Sequence, residues 1–114
     1  MRISVTDGKN TVVFQLNETP PAKSLYDSLP LEVEVENYSN NEKIFYPPND
    51  IDKSDGIEGD CETGTIALFS PWGNVVMYYS PAFSYPGLYI LGEAVEGIDL
   101  IKDLSGTIRV TALS

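Results

Sequence analysis

The sequence contains no histidine, and that absence excludes more chemistry than any residue in it suggests. Serine–histidine–aspartate triads, cysteine–histidine pairs and histidine-ligated zinc all need an imidazole. Cysteine is nearly as scarce. Cys61 stands alone, so no intrachain disulfide forms, and its neighbours Asp60 and Glu62 raise a thiol pKa rather than lower it, which argues against an activated nucleophile. Positive charge is also short: seven basic residues against 17 acidic ones leave a formal charge of -10. Such a surface repels phosphate backbones and anionic lipid, and the scattered lysines form no basic patch, so neither nucleic acid nor membrane is an expected partner. No apolar run approaches about 18 residues, and MRISVTDGKNTVVFQL lacks an uninterrupted apolar core. Neither a membrane span nor a signal peptide is expected, and the cytoplasm is the expected location. Nothing in the residue content asks for a cofactor or a resident metal.

What is present describes a folded chain. A hydrophobic fraction of 42%, with seven Tyr, four Phe and one Trp spread along 114 residues, argues against disorder and for one domain over 1–114. The chain is organised around Thr65 to Tyr79, TIALFSPWGNVVMYY. Two apolar runs, Ile66 to Phe69 and Val75 to Tyr79, flank Ser70-Pro71-Trp72-Gly73-Asn74 and read as an antiparallel hairpin with a longer loop.

In chain order, Ile3 and Val5 alternate with polar residues, Asp7 to Asn10 reads as a turn, and Thr11 to Leu16 completes an opening hairpin. Ala22, Leu25, Tyr26 and Leu29 recur at helical spacing, which predicts a helix from Pro21 to Leu29 with Thr19 as its cap and Pro30 ending it. Leu31, Val33 and Val35 then alternate with Glu32, Glu34 and Glu36, the cleanest strand pattern in the chain, before a turn at Asn37 to Asn41. A short strand is expected over Glu42 to Tyr46, and another over Leu88 to Leu91, ended by Gly92 and continued across a bend to Gly97. Ile98, Ile101 and Leu104 share one face of a two-turn helix, and Thr107 to Thr111 alternates as a last strand. Short strands with no recurring crossover helices favour a closed barrel over an open α/β sheet.

Two acidic features have spacings that bear on chemistry. Glu32, Glu34 and Glu36 put neighbouring carboxylates about 6 to 7 Å apart on one strand face, a spacing that also describes any solvated sheet face. The loop from Asp50 to Gly64 is rich in Asp and Glu, yet it fails the calcium-loop pattern in both registers: started at Asp50, Cys61 falls where the bidentate Glu belongs, and started at Asp52, Thr63 does.

The order of these pieces resembles a cyclophilin-like barrel, most closely that of the small bacterial cyclophilin-like proteins. The resemblance rests on SLYDSLPLEVEVENYSNNEKIFYPP, GDCETGTIALFSPWGNVVMYY and LYILGEAVEG, and within them on Leu29-Pro30, Glu42-Lys43, Gly59-Asp60, Trp72-Gly73-Asn74 and Leu91-Gly92 leading to Gly97. It implies a mainly β, closed barrel of about eight strands with two short helices. Cyclophilin isomerases twist a prolyl bond in an aromatic groove, where an arginine donates hydrogen bonds near the prolyl nitrogen. Between the first helix and Gly59-Asp60, where the family carries that arginine, this chain has none, and Arg2 and Arg109 lie in the terminal strands. Ile57 stands where the family has glutamine, and Ser70 to Asn74 is a shortened form of the segment lining a second pocket. The resemblance therefore carries the barrel without the isomerase residues.

Tyr46, Phe69, Trp72, Tyr78 and Tyr85 are candidates to line a groove, with Glu42, Lys43 and Asn74 as its polar groups. Trp72, between a proline and a glycine in a loop, either caps the barrel end or faces a ligand. The expected function is a non-catalytic binding or accessory module, taking an extended peptide or a small apolar ligand. An isomerase with an altered, arginine-less site is one alternative. A different small enzyme using Lys43, Glu42 and the tyrosines is another, and pairing of two copies through exposed aromatics stays open.

Overall fold

In the computed structural model, which describes residues 1–113, β1 (Arg2–Thr6) and β2 (Thr11–Leu16) form the opening hairpin. Its turn is held by Asp7, whose carboxylate accepts from the amides of Lys9 (2.9 Å) and Asn10 (2.7 Å) and, from a distant loop, of Ser105 (3.1 Å). Burial works to raise the Asp7 pKa, but these donors favour the charged form and together hold it at about 2.

Helix α1 (Pro20–Asp27) starts as its sequence predicts, with the Thr19 hydroxyl accepting from the Ala22 amide and proline in the first turn. It ends at Asp27 rather than Leu29, because the amide and hydroxyl of Ser28 both turn back onto the Leu25 carbonyl. The strand expected through Glu36 is two strands, β3 (Leu31–Glu34) and β4 (Glu36–Tyr38). The chain changes partner at Val35: up to that residue, whose amide donates to the Gly106 carbonyl at 2.9 Å, it follows the strand Thr107–Ala112, and from Glu36 it pairs with Glu42–Phe45. Asn37 and Tyr38, expected in a turn, extend β4 instead, where they pair with Lys43 and Glu42.

The remaining strands are β5 (Glu42–Phe45), β6 (Thr65–Phe69), β7 (Asn74–Tyr78), β8 (Leu88–Glu96) and β9 (Thr107–Ala112). All nine join one antiparallel sheet in the order β3-β9-β1-β2-β8-β6-β7-β5-β4. Its outermost strands, β3 and β4, are separated in the chain by Val35 alone. One piece of chain therefore makes both edges, and the sheet curls into a nearly closed barrel. Gly92 does not end a strand; it sits inside β8, paired with Leu16 on one side and Ile66 on the other. A Cβ there would run into the Gln15 and Leu16 backbone.

The inner core is filled by Ile3, Val5, Phe14, Ile66, Met77, Leu91, Ile108 and Val110, with Leu25 from α1 and Ile101 and Leu104 from the segment after β8. That segment (Ile98–Asp103) is a 3-10 helix, which the three-residue spacing of its apolar side chains suits, although Ile98 stays 38% exposed. Glu32, Glu34 and Glu36 lie exposed on the sheet, with Glu32 facing Arg109 at 3.7 Å and Glu34 accepting from the Thr107 hydroxyl. Among the described residues, no helix is long and apolar enough to cross a membrane.

Gly92→Ala is expected to destabilise the protein by about 3 kcal/mol, because the methyl group meets backbone that cannot yield, and urea denaturation measures the loss. Asp7 has a folded pKa below its unfolded value, so its contribution is present above about pH 4 and fades as pH falls towards 2. Acid titration of the thermal midpoint should show Asp7→Asn losing stability at neutral pH and less of the acid-induced drop than the wild type.

Candidate functional site

The β6–β7 hairpin is buried on both faces, which is why its two strands read as continuous apolar runs rather than alternating ones. Ile66, Leu68, Val75 and Met77 point into the barrel. Ala67, Val76 and Tyr78 point outward, where they form a second cluster with Ile44, Cys61 and Leu88. That outer cluster is covered by two loops, and the loops are pinned to each other. Cys61 and Ala82 exchange backbone hydrogen bonds at 2.8 and 2.9 Å, Asp60 accepts from the Ser84 amide at 2.8 Å, and Glu58 accepts from the Gly87 amide at 2.9 Å. The acidic loop thus uses its carboxylates to hold backbone, and among the described residues no three His, Cys, Asp or Glu side chains converge as a metal site would require.

Where this cover stops, a groove of about 450 Å³ opens on the outer face of β5, β7 and β6. Its size lies within the range of small-ligand and peptide pockets. The hairpin loop supplies Trp72: the amides of Trp72 and Gly73 both donate to the Phe69 carbonyl, at 3.2 and 2.9 Å, and Gly73 closes the turn in the left-handed conformation (φ 74°). The indole, 50% exposed, stands edge-to-face with Tyr38 (5.1 Å, 83°) and with Phe69 (5.4 Å, 82°), and Phe69 in turn meets Tyr85 at 5.6 Å. Of the eight residues singled out in the sequence, Glu42, Phe69, Trp72, Asn74, Tyr78 and Tyr85 line this groove.

Two do not. Lys43 is buried, on the opposite face of β5, opposite Met77 and next to Phe45, because adjacent strand residues point to opposite sides. Tyr46 lies just past the end of β5 and lines a neighbouring, more polar groove of about 380 Å³ with Asp50 and Lys53, on the other side of Trp72. Sequence reading missed Tyr38 and Phe83. Tyr38 had a signal, since it continues the period-2 series of Glu32, Glu34 and Glu36; Phe83, 88% exposed in a proline-flanked loop, had none that distinguishes it from a surface residue.

The polar groups of the groove are strained electrostatically. Burial raises the Glu42 pKa, and no cation pairs with Glu42 among the described residues. Burial, then the charge of Glu42 and then Cys61, push the Tyr78 hydroxyl well above its ordinary range. Asn74 is 1% exposed, and its Oδ1 has no hydrogen-bond donor among the described residues. A buried acceptor left without a donor costs about 1–3 kcal/mol, and a ligand N–H would recover it once rotation of the side-chain amide turns the oxygen towards the groove.

The model of the Cyclophilin-like family matches residues 5–112, nearly the whole chain. The chain belongs to the cyclophilin-like family. No protein with a curated description matches it. Among solved structures, the cyclophilin-like chain is similar to the solution structure of the hypothetical protein AF2241 from Archaeoglobus fulgidus, with a TM-score of 0.80 at 15% identity, over 99% of this chain and 95% of that one. At that identity the likeness is one of fold. The cyclophilin-like barrel expected from the sequence is therefore the observed one, with nine strands rather than about eight because Val35 splits the third.

Cys61 sits beneath the groove's cover, 2% exposed, and burial, Asp60 and Glu42 push its thiol up to about 11. That shift lowers the thiolate fraction near neutral pH by about 100-fold. At pH 8 a disulfide reagent should modify the native cyclophilin-like protein at least about 100-fold more slowly than the urea-unfolded chain; equal rates would mean the two loops do not shield it.

Proposed function

We propose that the groove between Trp72 and the 80–87 loop is the binding site of a non-catalytic module, taking an extended peptide or a small apolar ligand. The observation that carries this reading is Asn74: a buried, unpartnered carbonyl oxygen in the wall of a largely apolar groove. An apolar groove with few, placed polar groups is the usual form of a ligand site. Half-exposed Trp72 and Tyr85 supply rigid aromatic area that a ligand would cover.

Prolyl isomerisation needs a donor fork aimed at the prolyl nitrogen, and what speaks against it is the placement of the arginines. Arg2 lies in β1, where its Nε donates to Gln15, and Arg109 lies in β9 against Glu32; neither lines the groove. The alternative enzyme built on Glu42 and Lys43 is disfavoured by their opposite orientations on β5. No observation favours either reading over binding.

The test is a nuclear magnetic resonance titration with short Ala-Pro peptides, recording protein shifts and cis/trans exchange together. Shifts at the Trp72 indole and the Asn74 side-chain amide without faster exchange are expected, and Trp72→Ala should weaken that binding about tenfold. Faster exchange that disappears in Trp72→Ala would overturn the non-catalytic reading.

A further inference from the structure

The charge in the groove has one sign. Among the described residues Glu42 is the only carboxylate that lines it, no lysine or arginine does, and the whole molecule carries a formal charge of -10. Position sharpens the point. In the strand register Glu42 lies between Tyr38 on β4 and Tyr78 on β7, and directly opposed residues share a face. The carboxylate therefore shares its face with two tyrosines, Tyr78 buried and Tyr38 half-exposed, and the accessible ring of Tyr38 adds a surface that attracts cations. A neutral ligand that covered this end would strip water from an unpaired carboxylate, whereas a cation would compensate it. At the other end Asn74 and Phe69 oppose each other, and the unpartnered Asn74 Oδ1 asks for an N–H donor.

These two demands are separated along β7. Asn74 and Tyr78 are four residues apart, roughly 13 Å in a strand, so one ammonium group cannot meet both Asn74 and Glu42. An extended peptide can. Two residues advance it by roughly 7 Å and return the side chain to the same face, and a lysine side chain reaches roughly 6 Å further.

Resting on the reading of the groove as a binding site, we propose that its ligand is a basic peptide segment: an apolar residue packs by Phe69 and Trp72 with a backbone N–H on Asn74, and a lysine or arginine two residues away places its cation on Glu42 between Tyr38 and Tyr78. Glu42 is then a specificity-determining residue, selecting cationic over neutral segments. The negative field of the whole molecule raises the encounter rate with such a segment.

Trp72 is the single tryptophan, so its fluorescence reports the groove directly. The probes are acetylated, amidated Phe-Ala-Lys, the same peptide with norleucine or glutamate in place of lysine, and the free amine 2-phenylethylamine. The lysine peptide is expected to bind at least about tenfold more tightly than the norleucine peptide, with the glutamate peptide weakest, and roughly 0.3 M salt should narrow the gap. Glu42→Gln should weaken the lysine peptide and strengthen the norleucine one, because no carboxylate is then left to be desolvated, so that the two bind about equally; the binding of norleucine also shows that the variant is folded. Equal binding of the lysine and norleucine peptides would overturn the cationic assignment and leave the groove as a binding site. 2-Phenylethylamine binding as tightly as the lysine peptide would overturn the peptide assignment. Silence of Trp72 and of the protein shifts with every probe would overturn both this proposal and the site on which it rests.

Discussion

The β6–β7 hairpin has to be dry on both faces, and the rest of the architecture answers that requirement. Ile66, Leu68, Val75 and Met77 are satisfied by the barrel interior, but Ala67, Val76 and Tyr78 point away from it. With no second sheet among the described residues to cover them, that task falls to two loops, 46–64 and 79–87. A loop can only act as a lid over apolar side chains if its own backbone groups are paired. The Cys61–Ala82 bridge and the carboxylates of Glu58 and Asp60 supply that pairing, so the acidic loop is a structural strap.

The groove is what this cover leaves open. Glu42, on the outer face of β5, lies at the edge of the lid, so its carboxylate is desolvated without being enclosed, whereas Asn74 and Tyr78 at the two ends of β7 are buried. Desolvation raises the Glu42 and Tyr78 pKa values, and the same cover keeps water from the unpartnered Asn74 oxygen. On an open sheet face water would satisfy all three. Trp72 works as the partition. Its indole borders the aromatic groove on one side and the polar groove of Tyr46 and Asp50 on the other.

Barrel closure sets the geometry in which this happens. Because the chain from Leu31 to Tyr38 is both edges of the sheet, the position of β4 beside β5 is tied to that of β3 beside β9. Tyr38 reaches Trp72 only through that tie. Gly92 acts at the opposite side of the barrel, letting β8 cross from β6 to β2 as one strand where any side chain would collide with the β2 backbone.

The sequence by itself determined the hairpins, the helix start, the aromatic loop and the exclusion of histidine and disulfide chemistry. Those features are local: alternation of period two, a capping threonine, and turn residues act over a few neighbours. Even the opposite facing of Glu42 and Lys43 was legible, since adjacent residues on a strand cannot share a face. The interruption at Val35 was not, because Leu31 to Glu36 alternates without a flaw and the break is a change of partner from β9 to β5, which only the closing of the sheet brings about. Nor did sequence place Tyr38 against Trp72 or leave Asn74 without a donor. Those outcomes depend on which non-local groups closure and the loop straps bring within reach, and only the tertiary structure decides that.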